Sequence, residues 1–403
     1  MTTVTIRSCH TRYLNIEVAR NGKKPRSGEP QYDMTLAFLD IDRSEFLDRY
    51  WGKRPLLLRQ AIAPDRLALS PEELAGLACE EDIESRLIMH TNGEWTLRHG
   101  PFDESDFATL PDRDWTLLVQ DVDKYLPEVA DLLDAFDFIP DWRLDDIMIS
   151  YAVDGGGVGP HTDSYDVFLV QAQGRRRWRL SDHVFTDDDL LPDCQLRVLR
   201  DFPVNEEWLL EPGDVLYLPP HVAHWGIAEG ECMTWSVGMR GPTDLELAAA
   251  WLEHLAQTAR PQLGDHVGSD TDLPTRLQPR DLATARRLIG GIVPDDIPDF
   301  RRWLAAWLTE PKPGFEIEPP DTPPAFDGSA LRRHPWARFT LVELEAGRLA
   351  LCSQGECLVF DSTHAQTLET LCRQRRFGQG SLPADAAPVV ETLLARGWLV
   401  ADD

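Results

Sequence analysis

The sequence has no long hydrophobic run, since no window of its 403 residues approaches the ~18 uncharged apolar residues that a membrane-spanning helix needs. Residues 1–33 also lack an apolar block followed by a small-residue cleavage site, so they show no secretory signal peptide. Both absences exclude a membrane protein, and we expect a cytoplasmic one.

Cysteine is scarce and shows no pairing pattern. The seven cysteines are an odd number, are widely scattered and form no Cys-x-x-Cys pair, which argues against a disulfide framework or a zinc knuckle. We therefore expect reduced thiols. The seven are Cys9, Cys79, Cys194, Cys232, Cys352, Cys357 and Cys372.

Basic residues are few: 40 Lys and Arg stand against 68 Asp and Glu, which gives a formal net charge of −28. Such a charge repels phosphate backbones and anionic membranes and favours basic partners. We expect a cationic protein or peptide as partner and no direct binding of nucleic acid. The alternative is that the acidity serves only solubility.

The chain is too long for a single hydrophobic core, which stops growing near ~250–300 residues, so several units are expected. Residues 1–33 mix Arg and Lys with little hydrophobic period and predict a weakly ordered extension. Residues 34–242 form the next unit and begin with short helices. One of these is capped by Ser70 and has Pro71 in its first turn.

Strand character dominates the rest of that unit. The runs “DIMISYAV”, “YDVFLVQA”, “RRRWRL”, “VLYLPP” and “MTWSVGM” are separated by Gly, Pro and Asp turns. No long helical pattern interrupts them, which predicts an antiparallel barrel or sandwich.

The pattern turns helical over residues 243–309. Thr243 and Glu246 form a capping box, and Phe300, Trp303 and Trp307 lie on one face of a later helix. That aromatic face is larger than a short helix can hide, so we expect the barrel or a second subunit to cover it.

Two further regions complete the chain. The proline-rich stretch 310–328 predicts an extended linker. Residues 329–403 mix short strands with helices and predict a small α+β unit of winged-helix type.

A His-x-Asp pair lies in “GGGVGPHTDSYDVF”. His161 and Asp163 are two residues apart, so both side chains can reach one ion from the same side of a strand. Chance alone can supply so short a pattern. The third ligand would be His221 or His224 of “YLPPHVAH”, and because residues three apart cannot both face inward on a strand, only one of them serves.

Two histidines and a carboxylate leave one side of a metal free. Non-haem Fe(II) oxygenases use this arrangement, and their open positions accept a bidentate acid and dioxygen. Zinc is the competing metal, because its catalytic sites use the same ligand types with a water molecule. The remaining alternative is that the histidines bond to backbone at the rim of a barrel.

The strand “RRRWRL” carries a second candidate site. Alternation places Arg176 on the apolar face with Trp178 and Leu180. A buried guanidinium needs an anion, and the carboxylate of a small dicarboxylic acid satisfies it in a bidentate manner. A structural Asp or Glu is the alternative partner, and Arg240 is the second candidate for the anchor.

Four weaker candidates lie near these groups. Ser150 is placed to add a hydroxyl bond to the same carboxylate, although a satisfied core serine is the commoner case. Asp154, Tyr165 and Asp166 flank the candidate metal loop and are predicted to receive a cationic side chain of a substrate. Solvated loop acids are the alternative.

Longer stretches of the sequence resemble one family. “DDIMISYAVDGGGVGPHTDSYDVFLVQAQGRRRWRL”, “LEPGDVLYLPPHVAHWG” and “SVGMRGP” are similar to bacterial JmjC-type ribosomal oxygenases. These are cupin-fold arginine hydroxylases that act on the sixteenth protein of the large ribosomal subunit. The similarity extends from about Leu36 to the C-terminus.

The resemblance implies an α+β architecture. A double-stranded β-helix (the jelly-roll or cupin fold of JmjC type) would be followed by a helical dimerisation region and a C-terminal winged-helix domain. A cytoplasmic homodimer with a basic ribosomal protein as its substrate is also implied.

The resemblance also implies the chemistry. The Fe(II) ligands would be His161, Asp163 and His224, because the family's distal histidine lies four residues after the second proline of its Pro-Pro turn. Arg176 and Ser150 would hold 2-oxoglutarate. The implied reaction hydroxylates an arginine β-carbon and releases succinate and CO2. His221 departs from the family pattern, in which a small residue is usual at this position.

Two other functions are compatible with the same residues. One is a metal-dependent cupin dioxygenase of a small metabolite, for which Arg176→Ala would leave oxoglutarate turnover unchanged. The other is a ligand-binding regulator that joins a cupin to a winged helix, for which salt-sensitive binding to duplex DNA is expected.

Overall fold

The computed structural model of the chain describes residues 2–7, 13–18, 43–258, 298–383 and 385–402, with single positions at 283, 286, 289, 290 and 292. The first two segments are strands β1 (Thr2–Arg7) and β2 (Tyr13–Val18), which pair in an antiparallel hairpin. This hairpin differs from the weakly ordered extension predicted for residues 1–33. β-Branched residues are frequent in both segments, and they favour strands despite the basic composition of the region.

Short helices precede and interrupt the main sheet: α1 (Arg43–Arg49), α2 (Pro71–Leu77), α3 (Glu104–Phe107), α4 (Val122–Tyr125) and α5 (Pro127–Ala130). The predicted cap of α2 is confirmed, because the Glu73 amide donates to the Ser70 hydroxyl at 3.1 Å and the Ser70 amide donates to the Glu73 carboxylate at 2.8 Å. Short 3-10 helices lie at Pro64–Arg66, Asp131–Phe136, Asp141–Arg143 and Asp187–Asp189.

The central sheet contains nine strands of the described chain, and each neighbouring pair is antiparallel. Their order is β5-β4-β6-β7-β11-β8-β10-β3, with β9 beside β8. The antiparallel arrangement predicted from the turn-separated runs is confirmed, and “YDVFLVQA” and “RRRWRL” belong to one strand. The strands are β3 (Leu56–Leu58), β4 (Ser85–Thr91), β5 (Glu94–His99), β6 (Trp115–Val119), β7 (Leu144–Ala152), β8 (Val167–Ser181), β9 (Glu206–Leu210), β10 (Val215–Leu218) and β11 (Ala223–Met239).

The two long strands β8 and β11 run through both layers of the barrel. Residues 167–170 of β8 pair with β10, whereas residues 176–180 pair with β9. The change occurs close to Gly174, which has a φ of +60°. An added Cβ there would lie 2.0 Å from the Glu231 carbonyl oxygen, so only glycine fits this turn of the strand.

The sheet has two apolar faces. One packs against α1 through Phe46, whose ring centroid lies 4.9 Å from that of Tyr217. The opposite face encloses a smaller interior cluster that includes Leu169, Trp178 and Leu180. This interior face carries the candidate site.

Helices α6 (Asp244–Thr258) and α7 (Pro298–Leu308) follow the barrel. The capping box at the start of α6 is confirmed, since the Thr243 amide donates to the Glu246 carboxylate at 2.8 Å. On α7 the Trp303 ring centroid lies 4.8 Å from that of Trp251 on α6. Helix α6 therefore covers part of the predicted aromatic face.

Residues 310–328 contain no helix or strand, as their proline content predicted, but they pack against the barrel. Lys312 Nζ lies 3.1 Å from a carboxylate oxygen of Asp121 and 3.1 Å from one of Asp145. The Phe315 ring meets the Trp336 ring edge to face at a centroid distance of 5.2 Å. Ile317 and Phe326 pack against the core of the C-terminal residues, so the segment contacts the barrel near its start and the C-terminal residues farther along.

The C-terminal residues form an α+β unit with its own hydrophobic core. The unit contains two three-stranded antiparallel sheets and two helices, α8 and α9. The strand orders of the sheets are β16-β12-β17 and β13-β14-β15. The elements are β12 (Leu331–Arg333), β13 (Thr340–Leu344), β14 (Arg348–Ser353), β15 (Glu356–Asp361), α8 (Ala365–Arg373), β16 (Arg376–Phe377), α9 (Ala387–Ala395) and β17 (Leu399–Ala401).

A disulfide joins Cys352 and Cys357, which corrects the expectation that every thiol is reduced. The register of β14 with β15 sets the two residues directly opposite each other, with their Cα atoms 4.0 Å apart. Directly opposed positions of a hairpin bring two side chains together, and no spacing rule in the sequence revealed this. Cys79, Cys194, Cys232 and Cys372 are free thiols, and Cys9 lies outside the described residues.

Buried ion pairs attach the C-terminal unit to the barrel. The Asp141 carboxylate accepts hydrogen bonds from Arg375, from Arg333 Nη1 at 2.9 Å and from the Phe339 amide at 2.6 Å. Burial alone would raise the pKa of Asp141, but Arg375 and Arg333 lower it to about 2. The carboxylate is therefore ionised and tightly paired.

Candidate metal centre

Three potential ligands converge at the interior face of the barrel. His161 and Asp163 lie in the loop between β7 and β8, and His224 is the second residue of β11. Their ligand atoms all lie within 4.8 Å of one another. Nε2 of His224 is 3.5 Å from one Asp163 oxygen, and Nε2 of His161 is 3.8 Å from the other. The structure thus brings together the three residues selected from the sequence.

Backbone carbonyls orient both imidazole rings. Nδ1 of His161 lies 3.0 Å from the Gly159 oxygen, and Nδ1 of His224 lies 2.9 Å from the Val222 oxygen. A neutral imidazole that donates from Nδ1 keeps its Nε2 lone pair for a metal. The tautomer that suits metal binding is therefore favoured at both histidines.

His221 lies outside this cluster of ligand atoms. Its side chain is exposed, and its backbone adopts the left-handed region with a φ of +66°. Its amide donates to the Asp163 carbonyl oxygen at 2.7 Å. His221 thus holds the backbone of a candidate ligand, while His224 supplies the imidazole.

Burial controls the protonation of His224. Its relative exposure is only 2%. Desolvation, followed by the neighbouring His161, lowers the pKa of His224 to about 4. The ring is therefore neutral near pH 7, which is the form that coordinates a metal.

A tryptophan ring packs closely against a glycine that lies two residues from each histidine. An added Cβ at Gly159 would lie 3.0 Å from the Trp95 ring and 2.9 Å from Val198. An added Cβ at Gly226 would lie 2.7 Å from the Trp178 ring. These contacts fix the backbone that carries the ligands, and they were missed from the sequence because a ring on another strand leaves no local pattern.

Arg176 lies in the same interior and is 5% exposed. Its Nη1 donates to the Ser150 hydroxyl at 3.2 Å. Its Nε and Nη2 have no hydrogen-bond partner among the described residues. Burying a guanidinium with two unused donors destabilises the fold unless an anion accepts hydrogen bonds from them. This pocket therefore fits a ligand carboxylate.

The other arginines of the same strand have protein partners. Arg177 Nη1 lies 2.7 Å from a Glu207 oxygen, and Arg179 Nε lies 2.8 Å from the other oxygen. The predicted alternation of the strand is confirmed, because these side chains occupy the face opposite to Arg176. Arg240, the second candidate for the anchor, donates instead to the carbonyl oxygens of Trp142 at 2.9 Å and Leu308 at 2.7 Å.

The three candidate substrate residues occupy different environments. Tyr165 is 45% exposed and lies two residues from Asp163. Asp154 is exposed and accepts a hydrogen bond from the Gly230 amide at 2.9 Å. Asp166 is buried, and its carboxylate accepts a hydrogen bond from the Tyr217 hydroxyl. Their contact with a substrate stays a prediction.

An antiparallel barrel with two histidines and a carboxylate facing its interior defines a cupin-type metal protein. Residues 131–247 match the model of the JmjC domain family. The ribosomal protein uL16 3-hydroxylase of Escherichia coli is 37% identical over 298 residues, which are 73% of this chain and 77% of that protein. The chain therefore belongs to the family of JmjC-domain ribosomal oxygenases.

Other relatives agree with this assignment. A probable ribosomal oxygenase of Haemophilus influenzae is 37% identical over 244 residues, which are 60% of this chain and 59% of that protein. The X-ray structure of E. coli YcfD matches with a TM-score of 0.76 and 30% identity over 90% of this chain and 98% of that one. YcfD in complex with cobalt and 2-oxoglutarate matches with a TM-score of 0.75 and 30% identity, over 90% of this chain and 99% of that one.

The cupin architecture with added α+β elements, predicted from the sequence, is confirmed by these matches. Among the described residues no helix is long and apolar enough to span a membrane.

Proposed function

We propose that the protein is an Fe(II)- and 2-oxoglutarate-dependent hydroxylase of an arginine β-carbon in the large-subunit ribosomal protein uL16. One observation carries the proposal: the His161, Asp163 and His224 cluster shares an interior with a buried Arg176 that has two unused donors. The relation to the E. coli uL16 3-hydroxylase supports the choice of substrate.

Each residue has a separate role in this proposal. His161, Asp163 and His224 hold Fe(II), while Arg176 and Ser150 hold the distal carboxylate of 2-oxoglutarate. The bound iron and oxoacid would supply the oxidising chemistry with dioxygen as the oxidant, of which one oxygen atom enters the arginine and the other enters succinate, while CO2 is released. The protein keeps the His224 imidazole neutral and its donors in place before either group arrives, so little reorganisation is needed.

The substrate partner is proposed to be basic. The net charge of −28 attracts a cationic ribosomal protein and disfavours direct contact with nucleic acid. We propose that Asp154, Tyr165 and Asp166 contact the substrate. The side chains of Asp154 and Tyr165 are exposed at the protein surface. A cytoplasmic location follows for an enzyme of ribosomal proteins.

The remaining regions are proposed to serve assembly. We propose that residues 243–309, in which the structure describes α6, α7 and five single positions between them, are a helical dimerisation region in which Phe300, Trp303 and Trp307 meet a second subunit. Residues 329–403 form a winged-helix-like domain that contacts protein, because the charge of the chain is unsuited to a DNA duplex. A monomeric mass at micromolar concentration would contradict the homodimer.

Mass spectrometry tests the activity directly. The protein is incubated with Fe(II), 2-oxoglutarate and unmodified large-subunit ribosomal proteins, and a gain of one oxygen on an arginine of uL16 is expected. His224→Ala is expected to abolish the gain, and Arg176→Ala is expected to reduce it by weakening oxoacid binding. No gain on any ribosomal protein, or a His224→Ala variant as active as the wild type, would sink the proposal.

A further inference from the structure

Trp178 is a buried side chain whose polar atom has no assigned role. It follows Arg176 by two residues on β8, so both side chains point to the interior face. Trp178 is 5% exposed, and its Nε1–H finds no acceptor among the described residues. Buried indole N–H groups usually find a partner, so this donor calls for an explanation.

The indole lies close to both the proposed oxoacid anchor and the candidate metal centre. Its ring centroid is 5.8 Å from the Arg176 Cζ and 5.8 Å from the centroid of the His224 ring. The six-membered part of the ring packs on Gly226, where an added Cβ would lie 2.7 Å away. This contact holds the indole in one orientation, because the ring lies directly against the Gly226 backbone and cannot move closer to it.

Three buried donors are therefore left unused in one interior: Nε and Nη2 of Arg176 and Nε1 of Trp178. An ionised carboxylate offers about four acceptor sites on its two oxygens. Arg176 fills two of these in a bidentate pair, and the hydroxyl of Ser150 lies beside the same guanidinium at 3.2 Å from Nη1. In the proposed site the Ser150 hydroxyl fills a third acceptor site, which leaves one for a further donor.

We propose that the Trp178 N–H donates to the distal carboxylate of 2-oxoglutarate and is a third positioning donor beside Arg176 and Ser150. The inference rests on the proposed function, since it assumes that Arg176 anchors the oxoacid. It assigns to the tryptophan a role in cofactor affinity and not only in packing. Phenylalanine keeps a six-membered aromatic ring and removes the pyrrole ring with its donor, so a control with the same loss of ring volume is needed.

Trp235 provides a matched control. It is 1% exposed and its Nε1 also lacks a partner among the described residues. It belongs to the core cluster on the opposite, helix-covered face of the sheet, together with Phe46. Trp235→Phe therefore removes a buried indole donor without touching the interior that holds Arg176.

The experiment measures binding by titration calorimetry, with Co(II)-loaded protein and with 2-oxoglutarate or succinate as the titrant. Trp178→Phe is expected to weaken both ligands by about 3–10-fold, the effect of one hydrogen bond to a charged acceptor, because both carry the distal carboxylate. Trp235→Phe is expected to leave both affinities within about 2-fold of wild type. Arg176→Ala is run beside them and is expected to weaken both ligands more strongly.

The outcomes separate the inference from the proposed function. If Arg176→Ala weakens binding while Trp178→Phe behaves like Trp235→Phe, the indole has no such role and the anchor stands. If Trp178→Phe weakens 2-oxoglutarate alone, the assignment to the distal carboxylate is overturned. If Arg176→Ala changes neither affinity, the proposed anchor itself fails.

The unmodified protein offers a second measurement if Trp178→Phe does not fold. In ¹⁵N-labelled, Zn(II)-loaded protein, one protected indole N–H signal is expected to move downfield when succinate is added, because its proton gains a charged acceptor. The signal that Trp235→Phe removes is expected to stay in place. Protected indole signals that all remain unmoved would overturn the inference.

Discussion

The backbones of His161 and His224 bond to each other: the His161 amide donates to the His224 oxygen at 3.0 Å, and the His224 amide donates to the His161 oxygen at 2.9 Å. This isolated bridge ties the metal loop to the start of β11. The two candidate ligands therefore have a fixed spacing before any metal binds, although they are far apart in the chain.

Gly159→Ala tests how far that spacing depends on the loop. Gly159 has a φ of +82°, and an added Cβ would lie 2.9–3.0 Å from Val198 and Trp95. The Gly159 carbonyl, which orients His161, is expected to shift, and metal affinity is expected to fall by about 10-fold or more. Calorimetric titration with Co(II) measures the effect.

Gly93→Ala is the control for this substitution. Gly93 has a similar φ of +84°, but an added Cβ there meets no atom within 4 Å. Alanine at position 93 imposes the same backbone strain without a close contact to a neighbouring side chain. Metal affinity is therefore expected to stay within about 2-fold of wild type. Equal losses of affinity in both variants would show that strain alone, and not the Trp95 contact, is responsible.

The sequence predicted the local parts of this site better than the contacts across strands. Strand alternation placed Arg176 inward, and the Pro-Pro turn in the family resemblance selected His224 over His221. The Cys352–Cys357 bond and the contact of Trp95 with Gly159 were missed. Both depend on which residues of separate strands lie opposite each other, and strand register is set by the whole sheet and not by local spacing.

Asp141→Asn tests the ion pairs that attach the C-terminal unit. The variant leaves the buried Arg333 without its anion and leaves Arg375 with only the more distant Asp134 at 3.6 Å, and the free energy of unfolding at pH 7 is expected to fall by about 3 kcal/mol. Because the pKa of Asp141 lies at about 2, below its ordinary value of 3.8, the carboxylate stabilises the fold fully above pH 3.8. That stabilisation is lost as the pH falls through about 2.

Urea denaturation at several pH values measures this difference between wild type and variant. The two stabilities are expected to converge between pH 3.8 and about 2. Asp137→Asn is the control, because its pair with Arg43 is more than one third exposed and contributes less than about 1 kcal/mol. An Asp141→Asn difference as small as that of the control would mean that the buried pairs add no net stability.

Reduction of the Cys352–Cys357 disulfide is expected to loosen the β14–β15 hairpin only. The bond closes a loop with a sequence separation of 5, so its loss is expected to cost about 2 kcal/mol. Thermal unfolding with and without dithiothreitol measures the shift, and the double variant Cys352→Ser/Cys357→Ser is expected to be insensitive to the reductant. Co(II) affinity should not change, since the hairpin lies outside the metal centre; a loss of affinity on reduction would refute this.

His221→Gly decides between the two histidines after the Pro-Pro turn. The His221 amide donates to the Asp163 carbonyl oxygen, and glycine keeps that amide and adopts a φ of +66° without strain. Co(II) affinity is therefore expected to stay within about 2-fold of wild type, while His224→Ala is expected to lower it by about 100-fold or more. His221→Val is the matched variant, because a β-branched residue disfavours the left-handed region and is expected to cost about 1–2 kcal/mol of stability. If His221→Gly instead abolished metal binding and His224→Ala did not, the ligand would be His221, and the orientation of the His224 ring by Val222 would need another explanation.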